Sequence, residues 1–270
     1  MANIPTKLAA VGGNPLSAVI PAGTDPKTLP FLGIAADPGT SRSERLAALR
    51  AMVRDVPAEA PDGANVPAAT GEINNHIHTI YSFSPYTPSM AAWRARAAGL
   101  AVAGSVDHDS VGAASEMLEA CAILGIGGMV GFELRVSGLD ARFADRKLNN
   151  PDSTGIAYMT IQGIPRQSIP EAAAFLAPIG KARGERNRTT TAAASAILSA
   201  AGYAPVDYSR DVVPLSKAAE GGSVTERHIL AAVAASILSR HGAGPGLVSA
   251  LPASLGLQAP PKVAAPLSAG

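Results

Sequence analysis

The 270-residue chain is 47% hydrophobic, enough for a sizeable core, but only 4% aromatic, so Ala, Val, Leu and Ile must build that core. Its 22 basic and 21 acidic residues leave a net charge of +1. That excludes the basic surplus of a nucleic-acid-binding surface, so nucleic acid is expected only as a substrate. One cysteine, Cys121, excludes an internal disulfide framework and suits a reducing compartment.

The first residues are broken by Pro5, Pro15 and Pro21, unlike a signal peptide. No apolar run reaches the roughly 18 residues of a membrane span. The expected location is the cytoplasm, with no membrane partner. Residues 1–38 are rich in Pro and Gly and show no clear period. Ser41-Arg42-Ser43-Glu44 reads as a capping box opening a helix to about Val53, with Leu46, Leu49 and Val53 on one face. Residues 56–71 form a connector, so residues 1–71 read as a peripheral N-terminal arm.

From Glu72 the pattern becomes α/β. Ile73 to His78 is a strand. Ser89 to Ala98 is a helix ended by Gly99, and Leu100 to Val106 an apolar strand. Val111 to Leu124 is a second helix ended by Gly125, with Cys121 on its apolar side. Gly127 to Glu133 is a third strand and Gly155 to Ile161 a possible fourth. This alternation predicts parallel βα units over residues 72–165. Beyond Pro165 the strands fade. Pro170–Leu176 and Thr190–Ala200 read as helices. A third runs from a capping box at Ser223 and Glu226 to Ser239, giving a helical part over residues 166–255. The Pro/Ala-rich residues 256–270 read as a disordered tail.

The polar residues collect at one end of these strands. His76 and His78 are two apart at the end of the first strand, so both rings point to one face. Asp107, His108 and Asp109 follow the second strand, and Glu133 ends the third. In parallel sheets and barrels that end carries the active site. Imidazole nitrogen with carboxylate oxygen is the ligand set of divalent Zn, Mn or Fe. Each group also has a plain structural reading. Asp109 could cap the following helix, and Glu133 could pair with Arg135. Their recurrence at equivalent points of three βα units favours metal binding.

The stretches NNHIHTIYSFSPYTP and GLAVAGSVDHDSVGAASEMLEACAILGIGGMVGFELRV resemble the PHP superfamily, the polymerase and histidinol phosphatase domains. The resemblance covers residues 72–137 and weakens to about Ile164. It implies a distorted seven-stranded β/α barrel, a two- or three-metal cluster at its C-terminal face, and hydrolysis of a small phosphorylated substrate. By match, His76 and His78 are first-motif ligands, His108 the second-motif ligand and Glu133 the bridging third-motif ligand. Asp107 precedes the second-motif histidine, where it supports rather than ligates. Asp107 and Asp109 are the candidates to orient a ligand or the attacking water.

The chain departs from the family at Ser82-Phe83-Ser84, where a further ligand is usual, and has no Asp-x-His after Glu133. The expected fold is therefore a partial PHP-type barrel, C-terminally incomplete or interrupted by a helical insertion. A non-catalytic metal-binding module is the competing expectation. His228 falls in the first turn of its helix, as a cap or surface residue. Lys181, Arg183, Arg186 and Arg188 in GKARGERNR form a solvated loop or a cationic lid over substrate phosphate. The glycines of GIGGMVG lack the Lys-Ser/Thr of a phosphate loop and suit a closely packed strand.

Overall fold

The computed structural model describes residues 20, 24–55, 70–138, 140–150 and 153–269. Most of the expected connector and the Pro-broken start lie outside them. Two helices come first, α1 (Leu29–Ala36) and α2 (Arg42–Asp55). α2 opens as expected: Ser41 N–H donates to Glu44 Oε2 at 2.8 Å and Glu44 N–H to Ser41 Oγ at 3.3 Å. α1 has no counterpart in the sequence reading, because the pattern LPFLGIAA is apolar on nearly every side.

The α/β unit follows in the expected order: β1 (Ile73–Ile77), α3 (Pro88–Ala97), β2 (Val102–His108), α4 (Ala114–Leu124), β3 (Gly127–Val136) and β4 (Ala157–Gln162). They form one four-stranded sheet in the order β1-β2-β3-β4. β1, β2 and β3 are parallel, and β2 and β3 stay in register from Val102↔Gly127 to His108↔Glu133. β4 departs from the parallel expectation: it runs antiparallel to β3. A parallel return needs a crossover, usually a helix, and the described residues between 137 and 156 carry only a short 3₁₀ turn at Ala141–Phe143. The chain must double back. Gly131 permits it, since a Cβ there would lie 2.0 Å from the Ile161 carbonyl oxygen. The fold is mixed α/β around a sheet that, among the described residues, stops at four strands.

One core joins Leu32, Leu49, Met90, Met117 and Phe132 between the sheet and α1–α4. Cys121 lies in it, its thiol pushed up to about 12 by burial. At its heart Arg45 and Glu116 form an ion pair with both side chains fully buried, at 2.6 Å between Nη2 and Oε2. Glu116 also accepts from the Ser89 hydroxyl at 2.8 Å. Buried charges persist only when each is paired and hydrogen-bonded, and this set ties α2, α3 and α4 together.

The remainder is helical, with no strand between residues 166 and 255. The two helices expected at Pro170 and Thr190 are one, α5 (Ile169–Ala200), 32 residues long. The segment GKARGERNR, expected as a solvated loop or lid, is helical, since its Ala, Arg and Glu are strong helix formers and outweigh two glycines. After a turn of π-helix at Tyr208–Val212 come α6 (Glu226–His241), α7 (Pro245–Leu255) and α8 (Pro261–Ala269). The α6 cap is Thr225 rather than Ser223: Ser223 N–H is spent on the Tyr81 carbonyl at 2.8 Å, which keeps the chain extended for two more residues. α8 replaces the expected disordered tail. Prolines at its start suit a first helical turn, and Leu267 packs on a second core of Leu198, Val212, Ile229 and Ala232. α5 belongs to both cores, through Leu176 in the first and Leu198 in the second. No helix among the described residues is long and apolar enough to cross a membrane.

Candidate metal centre

The parallel register brings the expected residues together. His108 and Glu133 are Cα partners on β2 and β3, and His76 and His78 come from β1 and the turn after it. A single carboxylate oxygen, Glu133 Oε2, lies 3.5 Å from His76 Nε2, 3.3 Å from His78 Nε2 and 3.4 Å from His108 Nδ1. The His78 ring stacks on His108 at 4.6 Å and meets His76 edge-on at 5.1 Å. Ligand atoms of His76, His78 and Glu133 all fall within 4.8 Å of one another. His108 stands beside this trio through its contact with the shared oxygen.

These spacings test whether a metal fits. They exceed the roughly 2.7–2.9 Å of a charge-assisted hydrogen bond. In a tetrahedral shell with bonds of about 2.0–2.2 Å, neighbouring ligand atoms stand roughly 3.4 Å apart. The distances from Glu133 Oε2 to the three histidines have that spacing, the donor chemistry is right, and the trio His76, His78 and Glu133 falls within the reach of one ion. Two of its histidines are also pushed toward the neutral form that a ligand needs: burial lowers His78, and burial together with neighbouring His78 brings His108 down to about 4.

Asp107 is buried and turned away from the cluster. Its carboxylate accepts Thr79 N–H at 2.7 Å, Thr79 Oγ1 at 2.7 Å and Ser82 Oγ at 2.6 Å. Ser82 Oγ lies 3.5 Å from His78 Nδ1, so Asp107 fixes the loop that carries and orients His78. Burial pushes its carboxyl up and the three donors oppose that. Asp109 does not cap a helix, since α4 begins at Ala114. It adopts a left-handed φ of 50°, uncommon for a residue other than glycine. One of its oxygens receives Arg183 Nε, and the other is buried without a hydrogen-bond partner.

Arg183 is the functional candidate that local sequence could not single out. Within the basic cluster it alone is buried on α5, on a stripe with Asn187 and Thr191. That i, i+4, i+8 spacing was the available signal, hidden once the segment was read as a loop. Arg183, Arg135 and Arg227 line a cavity of about 580 Å³ that opens onto His78 and His108, with Tyr158, Phe83 and Glu226 on its walls. Phe83 supplies no ligand. It holds a left-handed φ of 81° and sets its ring edge-on to His228 at 4.7 Å. His228 is a cap, as expected, but a buried one: Thr225 N–H donates to its Nδ1 at 2.9 Å.

No family model matches the chain, and no curated protein matches it. Two solved structures are similar. One is an amidohydrolase from Chromobacterium violaceum, with sulfate bound and no metal, 24% identical over 69% of this chain and 51% of that one, with a TM-score of 0.44. The other is a candidate metal-dependent phosphoesterase from Bifidobacterium adolescentis, 22% identical over 63% and 52%, with a TM-score of 0.45. The chain spans about half the length of each. At these TM-scores the likeness carries no weight beside the chain's own geometry.

Proposed function

We propose that the chain is a metal-dependent phosphoester hydrolase of the PHP type, with His76, His78, His108 and Glu133 holding a divalent Zn, Mn or Fe ion. The carrying observation is the convergence of three imidazoles on one glutamate oxygen at 3.3–3.5 Å, beside a cavity walled by arginines. A divalent ion bound there lowers the pKa of water and takes up charge on the phosphoryl oxygens. The chain's own residues do the rest. Arg183 and Arg135, which line the same cavity, neutralise the phosphate. Asp109 holds the Arg183 guanidinium in place, and Asp107, through Ser82 and Thr79, keeps His78 aimed. Small phosphorylated compounds are the expected substrates.

One observation favours the competing reading of a non-catalytic metal module. Phe83 stands where a further ligand would be expected, and the described residues form no second group of this kind. A single experiment separates the two. Metal content per chain and hydrolysis of 4-nitrophenyl phosphate are measured for the parent, His76→Ala and Arg183→Gln. The hydrolase reading expects metal in the parent, loss of metal and rate in His76→Ala, and loss of rate with metal retained in Arg183→Gln. Bound metal without turnover in the parent selects the module, and absence of metal removes both.

A further inference from the structure

Glu226 opens α6 and sets its carboxylate among arginines of two other elements. Oε1 lies 3.1 Å from Arg186 Nη2 and 3.8 Å from Arg135 Nη1, and Oε2 lies 3.7 Å from Arg183 Nη1. Arg135 comes from β3, and Arg183 and Arg186 from α5. Glu226, Arg135 and Arg183 all line the cavity beside His78 and His108. Burial pushes the Glu226 carboxyl up, but its own backbone amide and the arginines more than offset that, so it is ionised at neutral pH. A carboxylate and a phosphate use the same guanidinium donors. Glu226 therefore stands where phosphoryl oxygens would be received.

Its contacts are loose. Only the Arg186 distance is that of a hydrogen bond, and the other two lie well beyond the roughly 2.7–2.9 Å of a charge-assisted one. The Glu226 side chain is 51% exposed, and exposed pairs contribute little, so turning it into water is easy. Nor do the cavity arginines depend on it for their places. Arg183 is held through Nε by Asp109, with both side chains buried, and gives Glu226 a different nitrogen. The Arg135 guanidinium lies 6.0 Å from the centre of the Tyr158 ring, and its Nη2 lies 3.5 Å from Ser153 Oγ. Arg186, half-exposed and outside the cavity lining, remains as a partner once the carboxylate leaves the other two.

We infer that Glu226 is a built-in competitor for the substrate phosphate. It occupies Arg135 and Arg183 until a phosphate enters, and is then displaced toward Arg186. This rests on the reading of the cavity as a phosphate site and adds what sets its affinity. Several arginines together would hold inorganic phosphate, the product, tightly, and a competing carboxylate lets it leave.

The test is calorimetric titration of inorganic phosphate into the full chain, in a chelating buffer at constant ionic strength, so that the arginines alone are read. Glu226→Gln and Glu226→Ala should each bind phosphate roughly fivefold more tightly than the parent. Arg135→Gln with Arg183→Gln should abolish the gain. The sign separates two roles, since removal of a carboxylate that merely held the arginines in place would weaken binding. Unchanged or weaker binding in Glu226→Gln overturns the inference. So does a gain that survives loss of both cavity arginines, which puts the phosphate elsewhere, or the absence of binding in every form. The two readings fail separately. A gain in Glu226→Gln without turnover of 4-nitrophenyl phosphate by the Zn²⁺-loaded parent removes the hydrolase and leaves the competitor. Turnover with no gain in Glu226→Gln removes the competitor and leaves the hydrolase.

Discussion

The two cores of this molecule treat polar residues in opposite ways. The sheet half buries charge: Arg45 with Glu116 between its helices, Asp107 under the loop after β1, and Glu133 among three histidines. The helical half packs Leu198, Val212, Ile229 and Ala232, and most of its buried polar side chains are neutral groups such as Asn187, Thr191, Ser236 and the helix-capping His228. Burying a charge is expensive unless every lone pair and proton finds a partner. A half that accepts this cost at several places is organised around chemistry. The other is organised around shape. The helical half reaches the chemistry through α5 and the start of α6, chiefly by Arg183.

The contrast can be broken hardest at the buried ion pair. Glu116→Ala leaves Arg45 charged and uncompensated, and should lower stability by about 3–5 kcal/mol in urea unfolding. Arg45→Met with Glu116→Met, which replaces the pair by apolar groups, should recover most of that loss. If Glu116→Ala is nearly silent, the sheet half is not held by its charges.

Acid should expose the helical half through His228. Burial brings this imidazole down to about 4 from an ordinary 6.5. The folded state binds its proton less readily than the unfolded chain, so the contribution is complete above pH 6.5 and is lost as pH falls toward 4. Over that window it amounts to roughly 3 kcal/mol. Urea midpoints for the parent should drop between pH 7 and pH 5, and His228→Gln should flatten this part of the profile.

A smaller effect falls on the candidate centre. Asp107→Asn presents an amide donor to Thr79 and Ser82, which already donate, and should loosen the His78 loop. Zn²⁺ affinity should fall about 10- to 100-fold while the fold persists, as measured by competition with a chromophoric chelator. Smallest of all, Arg186→Ala removes a half-exposed ion pair to Glu226 and should change stability by less than about 1 kcal/mol.

The sheet half was largely legible in the sequence, because its rules are local and repeated. Apolar runs ended by polar residues, with Gly99 and Gly125 closing the helices, place three strand ends side by side. His76, His78, His108 and Glu133 then meet by topology alone. The direction of β4 was not legible, since it depends on whether residues 137–156 form a crossover helix. Arg183 was not legible either. Four basic residues in nine look alike until the helix turns one of them inward.

α5 also has a mechanical meaning. At 32 residues it is a beam of roughly 48 Å, resting at Leu176 on one support and at Leu198 on the other. Arg183 projects from the span between them, and with the buried Asn187, which donates to the Val224 carbonyl at 2.8 Å, it pins the middle of the rod. Pro178 lies just before Arg183 and has no amide hydrogen for the helix, so the beam is weakest beside its first support.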